Sequence, residues 1–282
     1  MAKHQIPYSH IILTRFNLLS GSAYERHIRS SSGWLEHRFE LFEKYCLPSV
    51  LNQSNQNFTW FIFFDANTPN HFKNRVKQYQ IQCPNMKPLW VKGIPPKFVR
   101  AVIKFHIKDT DRLLITTRLD NDDAINVNFI KELQDRVINI KEEIDSPLVL
   151  NFDRGLCLNK NRTYSCIDKS NAFASLVEPI RKEINTIWQY KHDNLNRFEM
   201  LNLQEPAMWL QIIHRHNVSN RVRGFRIKNK VLLKNFKLNH EVPIDKKTLF
   251  IILENSFLSP IRIGIQLIRS KMKNVVKNKI QK

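Results

Sequence analysis

The chain has 282 residues, 42% of them hydrophobic, with 45 Lys and Arg against 25 Asp and Glu, giving a formal charge of +20. That length is enough to bury a large core. With 6 glycines, 12 dispersed prolines and no low-complexity tract or solenoid-period repeat, the chain excludes collagenous, disordered and repeat classes. The excess of cations predicts attraction to polyanions: nucleic acid, anionic lipid or a phosphorylated substrate.

Taken in chain order, the first half alternates between strand-like and helix-like segments, the pattern of a mostly parallel sheet with crossover helices. His10 to Phe16 reads as a strand and, after the polar stretch Ser20 to Gly33, the periodic segment Leu35 to Leu51 reads as a helix. Phe58 to Phe64 is a second strand, closed by a turn over Asp65 to Pro69. A helix over His71 to Tyr79, a strand over Lys87 to Lys92 and a helix over Lys97 to Ile107 follow. Leu113 to Thr117 is apolar and β-branched and predicts a buried strand, and Phe129 to Ile144 predicts the next helix.

The second half is less regular. Pro147 to Phe152 and Arg154 to Cys166 alternate as strands do, with a hairpin centred on Asn159 to Arg162. Glu178 to Tyr190 and Pro206 to His216 read as helices, and Val222 to Lys237 as edge strands or a basic loop. From residue 261 to 282 basic residues accumulate without an acidic one, while Ile261, Ile265, Ile268, Met272, Val275, Val276 and Ile280 recur at helical spacing. That basic amphipathic tail, 259–282, suits an anionic leaflet and equally suits a final helix packed on domain 1–258.

Cys46, Cys83, Cys157 and Cys166 form no CxxC pair and read as small apolar residues of a reducing compartment. The first apolar run, Ile11 to Leu13, is too short for a signal-peptide core, and no apolar span approaches the ~18 residues of a membrane crossing. The expected location is cytoplasmic, soluble or peripheral on the inner face of the membrane.

The densest chemical signal is Thr117 to Ile125, in which Asp120, Asn121, Asp122 and Asp123 follow the buried strand directly. Ligands of open α/β sheets bind at such carboxyl ends. Crowded carboxylates repel unless a cation neutralises them, and an all-oxygen set favours Mg²⁺ or Mn²⁺ over zinc. An acidic turn capping the helix near Asn128 is the plainer reading.

An acid cluster at a strand end resembles the Asp-x-Asp region of GT-A glycosyltransferases. Thr14-Arg15-Phe16-Asn17, Arg38 to Phe42, Cys46 to Val50 with Gln53, Phe58-Thr59-Trp60 with Phe63-Phe64-Asp65, Thr117 to Ala124, Pro206 to Gln211, His214 and Asn217 to Arg221 follow in an order similar to the rhamnosyltransferase family of bacterial polysaccharide loci. The likeness covers roughly residues 8 to 225. It implies a single-domain GT-A-like α/β fold, a nucleotide-diphosphate sugar as donor, a lipid-linked or polysaccharide acceptor, and Mn²⁺ or Mg²⁺ as cofactor.

The same resemblance distributes roles. Asp122 is the leading metal ligand, with Asp120, which also reaches the ribose, Asp123 and His214 as further candidates. Asp65 would contact the nucleobase or simply form an Asx-turn. Thr14 and Arg15 would lie beside the nucleotide, with Arg15 equally suited to pair with a carboxylate of the turn, and Arg118 would bind the diphosphate or hold Asp120. Glu205, just before a proline expected to open a helix, is the candidate general base, with Asp153 and Glu199 as competitors. Asn217, Asn220, Arg221 and Arg223 form a polar stretch suited to a phosphate or a sugar acceptor. Trp34, Trp60 and Trp209 are stacking or core residues. A Mg²⁺-dependent nuclease is the alternative that the charge allows, but the chain lacks an Asp/Glu-x-Lys catalytic pairing with an acidic strand partner, a recognition helix or an RNA-binding motif, and nucleic acid is not the expected partner.

Overall fold

The computed structural model describes residues 7–18, 26, 27, 29, 31–141, 144–190, 192–215, 217, 221–228, 232–243, 248–266 and 268. Most of the predicted polar stretch 20–33, Asn220, and the tail beyond residue 268 lie outside the described residues.

Strand β1 (Tyr8–Arg15) leads to a continuous helical run made of α1 (Trp34–Leu41), a π-helical turn (Phe42–Cys46) and α2 (Leu47–Leu51). The sequence explains the wide turn. Pro48 has no N–H to offer the Lys44 carbonyl and its ring crowds that oxygen. The backbone therefore widens, Leu47 N–H donates to the Phe42 carbonyl, and Lys44 O accepts from Asn239 N instead, at 3.1 Å. Then follow β2 (Thr59–Asp65), α3 (Asn70–Gln82), β3 (Met86–Val91), α4 (Pro96–His106), β4 (Leu113–Arg118), β5 (Ala124–Ile125) and α5 (Phe129–Ile140).

The second half is built of strands β6 (Leu148–Phe152), β7 (Arg154–Asn159), β8 (Arg162–Ile167), β9 (Ser175–Pro179), β10 (Glu199–Leu203), β11 (Trp209–Ile213) and β12 (Phe225–Ile227). The expected helix over Glu178 to Tyr190 is instead the last two residues of strand β9, an irregular connection and a 3₁₀ turn over Ile187–Gln189. The expected helix over Pro206 to His216 is strand β11. In both places a short apolar run fits either period, and pairing decides. β9 fills the gap between β4 and β6, while β11 fills that between β7 and β5. The hairpin expected around Asn159 to Arg162 is β7–β8, with Asn159 opposite Arg162. The stretch Val222 to Lys237 supplies the edge strand β12 and a 3₁₀ turn over Leu232–Phe236.

The large sheet has the order β10-β6-β9-β4-β1-β2-β3; among the described strands only β9 runs against the rest. Its residues alternate strictly. Ile12, Trp60, Ile62, Phe64, Leu113 and Ile115 pack under α1, α2, α3 and α5, with Phe39, Phe42, Val50, Val76 and Leu133. Ile11, Leu13, Phe61, Phe63 and Leu114 face α4 and the 3₁₀ segments, with Val99, Ile103 and Ile187. This is the expected α/β class with a mostly parallel sheet under helices. A second, mixed sheet, β12-β8-β7-β11-β5, lies beyond it. In that sheet Gly155 is obligatory, since a Cβ there would stand 2.0 Å from the buried Trp209 ring.

A 19-residue helix, Thr248–Gln266, closes the described chain and is long and apolar enough by length and composition to cross a membrane. The sequence reading expected no such span, and it set the tail boundary at residue 259, inside this helix. The apolar residues stand on both sides of Glu254 and Arg262, so no uninterrupted run announces them.

Candidate active site

Strands β1, β2 and β3 advance in one direction across the large sheet and β4 lies on the other side of β1. The carboxyl ends of β1 and β4 thus flank a topological switch point, where open α/β sheets form a ligand crevice. Register fixes the neighbours: Leu13 stands beside Arg118, Leu119 N donates to Leu13 O at 3.1 Å, and Asn121 Nδ2 donates to Phe16 O at 3.1 Å. The acid loop is tied to β1 at each step.

Asp122 is buried, and its Oδ2 accepts from Arg38 Nη1 at 2.9 Å and meets His214 Nε2 at 2.8 Å. The second Arg38 nitrogen donates to Asn121 Oδ1. Burial by itself would raise the Asp122 pKa, but Arg38 and the His214 hydrogen bond pull it below the ordinary carboxylate range. Asn217 reinforces the arrangement, with Nδ2 3.0 Å from His214 Nε2 and Oδ1 accepting from His214 N at 2.6 Å. The His37 ring lies edge-on to His214, centroids 5.5 Å apart. His214 comes from the end of β11 instead of from a helix, and its Nε2 is directed at Asp122.

Asp120 is open to solvent, while the protein around it and the charge of Asp122 push its pKa up. Arg15, exposed at the end of β1, and Arg118 act on it electrostatically. Asp123 points elsewhere. It is fully buried, its Oδ1 accepts from Ile212 N at 2.8 Å, and its Oδ2 has no hydrogen-bond partner. Desolvation, then Asp122 and Asp120, raise its pKa well above the usual value. Asp123 joins the acid loop to β11 and does not open toward Asp120.

Thr14 and Arg118 make contacts within the protein where nucleotide contacts were considered, and Asp65 takes the second of its two expected roles. Thr14 is buried and accepts the Trp60 indole N–H at 2.9 Å, so both belong to the core. Arg118 turns toward the β9 side and donates to the carbonyls of Ile187 and Tyr190 at 2.7 and 2.5 Å, fastening that segment to β4. Asp65 forms the Asx-turn, accepting from Asn67 N at 2.8 Å, with Arg29 3.5 Å away.

The base candidates separate clearly. Glu205 lies in the connection between β10 and β11, with no helix after Pro206. Glu199 opens β10 at its amino end, away from the carboxyl edge. Asp153 follows β6 at that edge. Thr117 and Leu150 both pair with Ser175, so Asp120 and Asp153, three residues on from each, follow the two parallel strands that flank β9. Asn151 Nδ2 donates to Asp153 Oδ1 at 3.0 Å, and the Asn202 amide, nitrogen toward it, lies 2.8 Å away. Desolvation raises the Asp153 pKa above the usual carboxylate value. Beside it, Arg223 pairs with Asp168, bonds Gln211 at 3.1 Å and covers the Trp209 ring, while Trp209 Nε1 donates to Phe152 O at 2.8 Å.

Arg38, Ser49 and Gln53 carry the site without having been assigned a role from sequence. Arg38 and Ser49 project from the α1–α2 run and Gln53 lies two residues past its end. Ser49 Oγ accepts from Ile125 N, Gln53 donates to Asn126 O, and Gln53 Oε1 accepts from Ile130 N. Together with Arg38 they grip both ends of the acid loop. Their only sequence signal is that they fall in the short motifs around residues 38 to 53.

A divalent ion has a limited donor set here. Among the described residues no three His, Cys, Asp or Glu side chains converge as a cage. Mg²⁺ and Mn²⁺ need no such cage, because one or two carboxylates plus substrate phosphates commonly suffice. The mutual repulsion of Asp120, Asp122 and Asp123 is what a cation would relieve. The residues fit a metal held jointly with a diphosphate.

Residues 9–226 match the family described as "Putative rhamnosyl transferase". No curated protein matches the chain. Similar solved structures include S. aureus TarS 1-349 (12% identity, TM-score 0.39, covering 73% of this chain and 60% of that one) and the same protein in complex with UDP-GlcNAc (14%, 0.41, 77% and 62%). S. aureus TarS in its longer form is similar at 13% identity and TM-score 0.40, with 73% and 37% covered. The chain thus spans about three fifths of the TarS 1-349 length or less. With its match extending from β1 through the acid loop to β12, the chain belongs to this rhamnosyl transferase family of glycosyltransferases.

Proposed function

We propose that the protein transfers a sugar, a deoxyhexose such as rhamnose, from a nucleotide diphosphate to a lipid-linked or polysaccharide hydroxyl with inversion, in a reaction dependent on Mn²⁺ or Mg²⁺. The observation that carries this reading is the joining of solvent-open Asp120, charged Asp122 and its two clamps, Arg38 and His214, at the switch point. Asp120 and Asp122 would hold the cation together with the donor phosphates. Bound there, it would act as a Lewis acid on the leaving diphosphate. Arg38 and His214 keep Asp122 ionised and oriented, and Arg15 adds positive charge at the open side.

Asp153 is the proposed general base, in preference to Glu205. Its carboxylate takes the proton of the acceptor hydroxyl while that oxygen attacks the anomeric carbon and the bond to the diphosphate breaks. A carboxylate raised by burial is better matched to this task than a free one. Asp153→Asn should keep nucleotide affinity within about threefold and lower transfer at least ~10³-fold. The test is release of nucleoside diphosphate from a panel of nucleotide-sugars with membrane extract as acceptor. Full activity of Asp153→Asn would remove it from the mechanism. Cleavage of DNA or RNA by the wild type, without sugar transfer, would contradict the whole reading.

A further inference from the structure

The helix Thr248–Gln266 turns the wrong way round for a soluble domain. Its polar side faces the protein. Glu254 pairs with Arg226 at 2.8 Å, Asn255 exchanges two hydrogen bonds of 2.8 Å with the Arg226 backbone, and Arg262 donates to Gly224 O at 3.1 Å with its guanidinium over Tyr164. Gln266 completes the row with a bond to Val222 O at 2.9 Å. The outward side carries Leu249, Leu253, Phe257, Leu258, Ile261 and Ile265, 45–66% exposed, and only 17% of the helix's apolar window is buried. The π-helical turn over Glu254–Leu258 shifts the helical phase between the two halves.

Such an apolar face needs an occupant, and the charge beside it selects one. Beyond the helix the sequence adds Arg269, Lys271, Lys273, Lys277, Lys279 and Lys282 with no acidic residue. We propose that this helix lies flat in the headgroup–acyl boundary of an anionic bilayer, apolar side down, while its polar side stays fastened to β12. Basic residues beside a buried apolar stripe are what an anionic leaflet holds. Crossing the bilayer would require tearing Asn255, Arg262 and Gln266 from β12 and placing Glu254 and Arg262 in hydrocarbon. The inference stands apart from the sugar-transfer reading, since it concerns only the opposite fate of this helix's two sides.

The test is flotation of the full-length protein with vesicles of phosphatidylcholine alone and of phosphatidylcholine mixed with phosphatidylglycerol. Binding to the mixed vesicles, weakened by salt, is expected, and Phe257→Glu with Ile261→Glu should lower it at least about tenfold with an unchanged melting curve. Spin labels at Leu253→Cys and Ile265→Cys should report the same shallow depth. Equal binding to neutral vesicles, unaltered binding of the double variant, or unequal label depths would overturn the proposal. So would a lipid-free dimer that the same double variant dissociates, which would assign the face to a second copy.

Discussion

Asp122 stays ionised in a buried position because two groups from distant parts of the chain, Arg38 and His214, meet its Oδ2. Removing one member of such a pair leaves a charge without its counterpart. Arg38→Ala is expected to destabilise the fold by about 2–4 kcal/mol in urea melts and to weaken nucleotide binding at least tenfold, with Asp122→Asn recovering part of the stability in the double variant. An additive double variant would show that the pair is not coupled. The acid loop itself was legible, since three carboxylates after an apolar strand are unusual at any position. Of its clamps, His214 was brought to the same site by the family resemblance alone, as a further metal ligand, and Arg38 was given no role, because Arg38 lies 84 positions from Asp122 and His214 lies 92. Thr14 shows the converse. Its place at the end of β1 suggested a ligand contact, but side-chain alternation turns it inward to Trp60.

His10, on β1, is a second residue that sequence left silent. Gln134 Nε2 donates to its Nδ1 at 3.0 Å, and its Nε2 therefore carries the proton toward Thr117 Oγ1 at 2.8 Å. Burial lowers its pKa from 6.5 to about 3. The unfolded chain takes up a proton near pH 6.5 while the folded chain does not until about 3. Stability contributed by neutral His10 is complete above the unfolded value and is lost as pH falls toward the folded one. Denaturant melts should show a loss on the order of 1–4 kcal/mol from this source across that window, and His10→Gln should flatten the slope. Identical slopes would exclude it.

At the scale of elements, strands with a helix between them announce themselves, and β1 through α5 were read in order except for the two-residue β5, which the acid loop hid. β9 and β11 were not, because segments of five residues are too short to fix a period and the decision comes from partners far along the chain. The second sheet depends on close packing of the kind that a pattern does not encode. Gly155→Ala should cost more than about 2 kcal/mol, since its methyl group meets the Trp209 ring, and a melting temperature unchanged from wild type would contradict that contact. The α1–α2 run illustrates function written into local geometry. Pro48 widens the helix, and Arg38, Ser49 and Gln53 stand on either side of the widened turn to hold the acid loop.

For the whole molecule, the sheet order makes one edge chemically active. Asp120 and Asp122 follow β4, Arg15 ends β1 and Asp153 follows β6, so the proposed phosphate and proton-accepting positions share the carboxyl edge. If Asp153 is the base, activity falls as pH drops through its raised pKa, and the acid limb of kcat/KM should lie above the ordinary Asp value of about 3.9. A limb at or below that value would point to another group. Calorimetric titration of the wild-type protein with dTDP, UDP and GDP, each with and without Mn²⁺, addresses the central claim most directly. The expected result is that Mn²⁺ alone binds weakly, that one nucleotide binds only when Mn²⁺ is present, and that Asp122→Asn abolishes the signal. Equal binding with and without Mn²⁺, or no binding of any nucleotide, would contradict it.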